Sequence, residues 1–538
     1  MKNYYFSFLF LSSCFVANAQ GITFTSAPFG GNSNICCVAD MNNDNLDDIV
    51  VVTQNQMRIY QQKTTGGFNT ITIALANNVF TANWSIAAGD FDRNGYNDIV
   101  LGNQARATVL KANADGTNYS IIAYPQGIFS QRSNFVDIDN DGNLDLWVCH
   151  DVDQNHPYRN DGNGNLIFDY SLFPTSDEGG NYATIWTDYD NDGDIDMYEA
   201  KCRGGVNDPT DPRRINLLYQ NNGTGTYTDV GPAAGVNDGS QSWSTAAEDF
   251  DNDGDMDFLL SNISDTNKFY LNNGDGTFTD IYDSTGIEAQ VGSWEVQAAD
   301  FNNDGWVDFL WQNGKELYIN NGDLTFTGYD LPFSEGGLGD LNNDGFLDVQ
   351  IGANVHYNSG NANKWFNVVL EGIDSNRNGI GARVELFGTW GKQIREIRSG
   401  QGFSHMSSMK ANFGIGSASE IEKVVIKWPS GTVDTILDPT PNQNLVVVEG
   451  STLLANNQFE SNDLRVFPNP ASDVLNVKYN NSSTLIETAS IYDISGRLVM
   501  NATVANQTID VKSLASGPYL LILKDEKGTS FTQKFLKQ

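Results

Sequence analysis

The chain has 538 residues, with 67 acidic against 31 basic side chains and a formal net charge of −36. That length allows several domains, and that charge argues against nucleic acid as a partner, because phosphate binding needs a basic face. The imbalance is local: residues 1–362 hold 50 Asp and Glu against 14 Lys and Arg, whereas 363–450 hold nine of each and 451–538 eight of each.

The chain opens with Lys2, an apolar run from Tyr4 to Val16, and Ala17-Asn18-Ala19. This predicts an export signal cut after Ala19, leaving residues 1–19 behind and Gln20 first in the mature chain. Leu11-Ser12-Ser13-Cys14 resembles a lipoprotein box, but its use would leave a hydrophobic run of only ten residues. No later stretch holds 18 consecutive apolar residues, so no transmembrane span is expected.

From residue 20 to about 362 one nine-residue loop recurs seven times, its first Asp spaced by 50, 47, 51, 61, 51 and 40 residues. Counted from that Asp, positions 1, 3, 5, 7 and 9 are Asp40, Asn42, Asp44, Leu46 and Asp48 in loop one. They are Asp90, Asp92, Asn94, Tyr96 and Asp98 in loop two, and Asp137, Asp139, Asp141, Asn143 and Asp145 in loop three. Loop four has Asp188, Asp190, Asp192, Asp194 and Asp196; loop five has Asp249, Asp251, Asp253, Asp255 and Asp257. Loop six has Asp300, Asn302, Asp304, Trp306 and Asp308, and loop seven has Asp340, Asn342, Asp344, Phe346 and Asp348. Carboxylates this close repel one another unless a hard cation lies between them, and calcium takes six to eight oxygens at about 2.3–2.6 Å. Gly at position 6 permits the left-handed turn that wraps such a loop, and position 7 can offer its main-chain carbonyl. Loops three, four and five have four carboxylates at positions 1, 3, 5 and 9, the others three, so the middle three are expected to bind calcium most tightly.

Each loop lies between strand-like runs. A small-residue segment such as Ser242–Ala247 precedes it, and a buried run such as Ile49–Val52 or Phe258–Leu260 follows. Gly-bearing hairpins such as Tyr270–Phe278 come next. Four strands recurring seven times at a period near 50 predict an all-β, seven-bladed β-propeller over residues 20–362. Ile22–Thr25 resembles the outer-strand sequence Thr277–Thr279, so the N-terminal strand is expected to close the ring on the last blade.

Other features are read beside the loops. An aromatic lies six residues before the first Asp in four repeats (Trp84, Tyr182, Trp243, Trp294), and its recurrence points to packing between blades rather than a ligand-stacking rim. Asp188 to Glu199 also fits an EF-hand loop, but its flanks read as strands, so Glu199 is taken as incidental. The fourth repeat is about 11 residues longer than the mean. Its extra residues carry Lys201, Arg203, Arg213 and Arg214, read as a solvated loop in preference to an anion site. Cys36, Cys37, Cys149 and Cys202 are read as buried free thiols, with a Cys149–Cys202 bridge as the alternative.

These loops resemble the calcium loops of FG-GAP repeats in integrin alpha-subunit propellers. The Asn-Asn-Gly-x-Gly-Thr-Phe hairpins bring them closer to bacterial FG-GAP-like (VCBS-type) repeats. The resemblance implies up to seven Ca2+ ions, bound at positions 1, 3, 5 and 9 and by the position-7 carbonyl. Asn45 stands at position 6 of loop one and Asn94 at position 5 of loop two, both departures from the pattern.

Two further segments follow. Trp365–Leu370, Asn376–Val384, Gly400–Phe403, Phe413–Gly416 and Val424–Gly431 resemble the ASPIC/UnbV domain, which implies a small β-domain over 363–450 packed after the propeller. A polar linker at 451–461 leads to Val466–Val477, Ile491–Val499 and Leu514–Ile522. Their alternating apolar residues read as a small Ig-like β-sandwich over 462–538. They resemble the sorting domain of type IX secretion substrates, which implies the type IX machinery as a partner and a secreted or cell-surface fate.

Two functions compete: a non-catalytic calcium-binding module for an extracellular glycan or protein, and a secreted calcium-dependent polysaccharide-degrading enzyme of lyase type. The four histidines, His150, His156, His356 and His405, stand in no nucleophile–base pattern, which favours binding and predicts no catalytic residues.

Overall fold

The computed structural model describes residues 17–19, then 22–452 except 77–78, 174–177, 289–290, 292–293 and 313, then 464–537 except 469, 480–485, 493–497, 505–506, 516 and 526–529. Most of the expected export signal and of the linker lies outside the described residues. Branched and aromatic runs become strands because such side chains pack well on a pleated surface. Apart from two 3-10 turns and the four-residue helix Gly231–Ala234, the described elements are strands.

Seven four-stranded antiparallel sheets occupy the described residues from Ala17 to Asn358. The fifth is representative: Ser242–Glu248, Asp257–Asn262, Lys268–Asn272 and Phe278–Asp280 lie side by side, with loop five joining the first two. In the seventh, Gly337–Gly339 and Asp348–Asn358 are joined by Ile22–Ser33, beyond which Ala17–Ala19 pairs. Phe24 stands opposite Asn358 as Phe278 stands opposite Asn272, so Ile22–Ser33 takes the place that Phe278–Asp280 holds in the fifth sheet, as its sequence implied. The first strands neighbour one another in chain order, and Gly337–Gly339 lies against Cys37–Ala39. The sixth sheet is tied to the seventh by the Gln297 amide, which bonds to Gly336 in both directions, at 2.6 and 2.9 Å. The sheets thus follow one another as in a β-propeller.

Residues 363–450 pack into the same compact unit as the repeats, which runs up to Glu449, and Gly450–Gln538 form a second. The segment builds two sheets. One holds Lys364–Glu371 between Ala411–Gly416 and Asn444–Val448; the other holds Gly391–Glu396, Arg383–Gly388, Lys423–Lys427 and Val433–Leu437. Between Glu396 and Ala411 the main chain leaves both and enters the axis of the repeats, where it bonds to the first strand of every sheet or to its flanking residue. Val38 donates to Met406 O at 2.9 Å and Met406 to Cys36 O at 2.9 Å. Ile86 donates to Ser404 O at 3.1 Å. Arg132 Nη1 donates to His405 O at 3.1 Å, Arg398 Nε to Trp186 O at 3.0 Å and Arg398 Nη1 to Ala247 O at 2.9 Å. Glu295 accepts from Phe403 N and Ser404 N at 2.8 and 2.6 Å, and Ser408 donates to Leu338 O at 2.8 Å. Burial lowers Arg132 to about 10 and raises Glu295 to about 8, while each stabilises the other's charge.

This fit dictates the glycines of the Gly400-Gln401-Gly402 block. A Cβ on Gly400 would lie 1.1 Å from Arg132 Nη2, and one on Gly402 would lie 2.1 Å from Glu295 Oε1; both residues have positive φ. Within the axial segment Phe403 is 1% exposed and stacks with Tyr182 and Trp294. Trp243 and Trp84 stack on the same group. The four recurrent aromatics therefore spend their faces on one another and on Phe403, where sequence recurrence alone pointed to packing between blades.

In the second unit, Leu464–Phe467, Val474–Tyr479 and Thr508–Asp510 form one antiparallel sheet, and Leu498–Thr503, Ile486–Tyr492, Gly517–Asp525 and Ser530–Lys537 another. The two share an apolar cluster that includes Leu475, Ile491, Ile509, Leu521 and Phe535.

Gly402→Ala should destabilise the first unit by about 2–4 kcal/mol, from the steric clash and the left-handed backbone. Gly204→Ala faces open space and should stay within about 0.5 kcal/mol of the parent. Denaturant unfolding of the two variants measures the difference.

Candidate metal centres in the seven loops

All seven loops share one hydrogen-bond frame. The position-1 carboxylate accepts from the position-6 N–H, at 2.7 Å from Asn45, 2.8 Å from Gly95, 2.9 Å from Gly142, 3.2 Å from Gly193, 3.0 Å from Gly254 and 2.8 Å from Gly305 and Gly345. The position-5 oxygen accepts from the N–H of position 7, at 2.8 Å from Asn143 and 2.9 Å from Leu46, Tyr96, Asp194, Asp255, Trp306 and Phe346. Position 7 thus enters through its main chain, whatever its side chain.

Position 9 is the joint between loop and sheet. Its Oδ2 accepts from the position-2 N–H, as Met41 does to Asp48 at 3.0 Å and Leu341 to Asp348 at 2.9 Å. Its Oδ1 accepts from a third-strand N–H in sheets one to six, Gln62 to Asp48, Ala112 to Asp98, Asn160 to Asp145, Asn221 to Asp196, Asn272 to Asp257 and Asn320 to Asp308, and in sheet seven from Asn358 at the far end of the Asp348–Asn358 strand, all between 2.7 and 2.9 Å.

Two left-handed residues shape the frame. Position 6 has positive φ in every loop, Asn45 at 65° included. Position 4 does too: Asn43, Arg93, Asn140, Asn191, Asn252, Asn303 and Asn343 lie between 55° and 63°. Asn tolerates this region better than most residues, and its recurrence at position 4 in six of the seven loops is the signal that a count of ligand positions alone passes over.

In loops two to five, positions 1, 3 and 9 each bring an oxygen within 4.8 Å of the others: Asp90, Asp92 and Asp98; Asp137, Asp139 and Asp145; Asp188, Asp190 and Asp196; Asp249, Asp251 and Asp257. Loops one, six and seven have Asn at position 3, and that amide donates to the position-5 carboxylate, Asn42 to Asp44 at 2.9 Å and Asn302 to Asp304 and Asn342 to Asp344 at 2.8 Å. Three buried ligand-position oxygens have no partner: Asn42 Oδ1, Asp139 Oδ1 and Asp188 Oδ1. Burial pushes the position-9 carboxyls up, Asp48 and Asp145 to about 8 and Asp196 to about 9. It pushes position 1 to about 6 in Asp90 and Asp340 and about 7 in Asp137, Asp188, Asp249 and Asp300. The arrangement can hold metal ions, all its donors being hard oxygens.

The segment 363–450 sits over these loops. Arg383 bonds to Asp188 O at 2.6 Å and pairs with Glu396 at 2.9 Å. Asn378 accepts from Asp90 N at 2.7 Å, and Lys410 pairs with Asp47 at 3.2 Å. A Cβ on Gly254 would meet Lys392, and one on Gly345 would meet the Trp365 ring. None of these contacts was legible in the loop pattern, since each partner lies far away in the chain.

The remaining candidates resolve plainly. Glu199 is buried and accepts from Asn155 Nδ2 at 2.6 Å, away from loop four. The basic residues of the fourth repeat are matched internally: Arg203 pairs with Asp151, Arg213 with Asp211 and Arg214 with Asp265, and Lys201 Nζ donates to Asn181 at 2.8 Å. The four cysteines are free and buried; Cys202 Sγ accepts from Trp243 Nε1 at 2.9 Å. His405 accepts from Cys36 N at 3.0 Å and His356 bonds to Ser26 Oγ at 2.7 Å, while the rings of His150 and His156 meet edge to face.

Residues 40–101, 90–148, 137–199, 206–260 and 249–311 match the FG-GAP-like repeat family, 372–453 match ASPIC and UnbV, and 465–538 match the secretion system C-terminal sorting domain. Cartilage acidic protein 1 of Mus musculus is 29% identical over 257 residues, 40% of this chain and 38% of that protein; its Homo sapiens counterpart is 28% identical over 257 residues, 40% and 37%. The chain thus spans about two fifths of the length of these relatives. Beta-agarase D of Zobellia galactanivorans is 37% identical over 73 residues, 14% of each chain. The rhamnogalacturonan lyase PL11 of Bacillus licheniformis covers 81% of this chain and 75% of its own at 11% identity and a TM-score of 0.36, a likeness too slight to bear on activity. Among the described residues no helix is long and apolar enough to cross a membrane, and the sorting domain marks the chain for export to a secreted or cell-surface fate. The chain belongs to the FG-GAP repeat proteins of the ASPIC/UnbV type and carries a type IX secretion sorting domain.

Proposed function

We propose that this chain is a secreted or cell-surface protein whose seven FG-GAP loops bind calcium at the corners of a seven-bladed β-propeller, and that it acts as a non-catalytic binding module for an extracellular glycan or protein. The observation that carries the calcium reading is the shared loop frame. Backbone N–H groups occupy part of each carboxylate and leave inward oxygens such as Asp139 Oδ1 and Asp188 Oδ1 unpartnered. A hard divalent cation supplies the charge that brings these buried carboxylates to full ionisation. Positions 1, 3, 5 and 9 and the position-7 carbonyl would hold it.

The binding role is supported by the axis. In propellers the central channel is a common place for ligands and active sites, and here Ile397–Lys410 passes through it. The histidines His405 and His356 are engaged in the structural bonds described above, and His156 is pulled down to about 4 by burial. A ligand would then meet the outer surfaces of the blades. Glycan and matrix-protein arrays in calcium should give saturable binding without turnover of acidic polysaccharides. Turnover that falls in His156→Ala would overturn the non-catalytic reading.

Calcium at 100 times its Kd should add about 3 kcal/mol per site, so a chelator should lower Tm by several degrees. The effect should depend on pH. A carboxyl whose folded pKa is raised stabilises the metal-free fold below the unfolded value, about 3.9, and that contribution is lost as pH rises through the folded value. With position 1 near 6–7 and Asp196 near 9, the gap in Tm between calcium and chelator should widen from pH 6 to pH 9. A gap that stays constant or narrows over that range would count against the buried carboxylates as the calcium ligands.

A further inference from the structure

One register position, on the third strand of sheets one to six and at the end of Asp348–Asn358 in sheet seven, lies just before the residue whose N–H reaches the position-9 Asp. It is Gln61, Lys111, Arg159, Gln220, Leu271, Ile319 and Tyr357 in sheets one to seven. In sheets two, three and four this side chain reaches position 3 of its own loop. Lys111 Nζ lies 3.1 Å from Asp92 Oδ2 and donates to Gly164 O at 2.7 Å. Arg159 Nη1 contacts Asp139 Oδ2, and its Nε is also held by Asp169 at 3.0 Å. Gln220 Nε2 donates to Asp190 Oδ2. Gln220 is neutral, and the cation at loop four is Arg383, with Nη2 at 3.7 Å from Asp188 Oδ2.

Sheet five differs. Its residue is Leu271, half-buried and without a polar group. Among the described residues, no Lys or Arg forms an ion pair with Asp249, Asp251, Asp253 or Asp257. Loop five therefore combines four carboxylates with no ion-paired cation at any of them, although Lys392 lies over Gly254 and the Arg395 charge acts on Asp249. Loops one, six and seven also lack a paired cation on their ligand carboxylates, but carry three carboxylates each.

Resting on the calcium reading, we propose that this third-strand position sets the affinity of each loop, and that loop five is the tightest calcium site of the seven. A resident ammonium or guanidinium at position 3 neutralises one ligand carboxylate and must be displaced or endure repulsion when a divalent ion enters. Leu271, being apolar, imposes no such competition. The four-carboxylate loops are thereby ranked, with loop five above loops three and four, which ligand charge alone treats as equals.

Calcium titration of the full chain by calorimetry, with native mass spectrometry to count ions, tests this. Asp251→Asn should abolish the tightest binding step while the weaker steps persist. Leu271→Lys should weaken that same step, and Arg159→Leu should tighten one weaker step by about two- to five-fold, the range of a partly exposed ion pair. The gain in Arg159→Leu cannot come from misfolding, and circular dichroism checks the fold of Leu271→Lys. A first step unchanged in Asp251→Asn, or no tightening in Arg159→Leu, overturns the ranking while leaving calcium binding intact. No bound ion in the wild-type chain overturns the calcium reading itself.

Discussion

Each loop gathers three or four carboxylates, with position 9 buried in all seven and position 1 in six. Charge repulsion and lost hydration both oppose ionisation there, which is why position 9 is pushed as high as about 9 in Asp196. The chain answers with backbone geometry. Two left-handed residues, at positions 4 and 6, turn the main-chain N–H groups toward the carboxylates. The position-9 side chain then bonds to both the loop and the third strand, so loop and sheet cannot be distorted separately. A cation at the centre would complete an arrangement whose outer half is already satisfied by hydrogen bonds.

The segment 363–450 answers a second constraint, the open axis that a ring of sheets leaves behind. Filling it with main chain is costly unless every backbone group finds a partner. The axial segment meets this by bonding to all the first strands, with Arg132, Glu295 and Arg398 supplying donors and acceptors where strands alone cannot reach. The buried charges are networked: Arg398 pairs with Glu248 at 3.2 Å and Glu396 at 2.6 Å, and Glu396 also with Arg383. Removing one member of such a group leaves another charge buried without its counter-ion, so these positions tolerate little change. Near-neutral in total, the segment thus turns several of its basic residues toward an acidic repeat region.

Much of the repeat region was legible because its information is local and repeated. Seven copies of a loop, each followed by an apolar run and a Gly hairpin, specify the same unit seven times, and even the closing strand could be read from the likeness of Ile22–Thr25 to Thr277–Thr279. The axial segment was not legible, because Gly400 and Gly402 look like ordinary turn glycines until Arg132 and Glu295, more than a hundred residues away, are brought against them. The same limit applied to charge. Arg203 and Arg214 read as an unmatched basic cluster in one dimension, whereas folding places Asp151 and Asp265 beside them. Trp84, Tyr182, Trp243 and Trp294 recurred at fixed spacing, but what they pack on, Phe403, is a single residue outside the repeat.

Repeat arrays whose units touch only their neighbours are stabilised as a sum of unit and nearest-neighbour terms, and can fray unit by unit. A closed ring removes the two ends, yet each sheet still touches only two others. The axial segment changes that connectivity. Arg398 bonds to both of the neighbouring fourth and fifth sheets through Trp186 O and Ala247 O, and Phe403 ties the non-adjacent third and sixth through Arg132 and Glu295. Opening any one sheet then exposes bonds that belong to the others. A chain of weakly coupled units becomes one cooperative body, and the carboxylate loops share a common framework instead of seven separate ones.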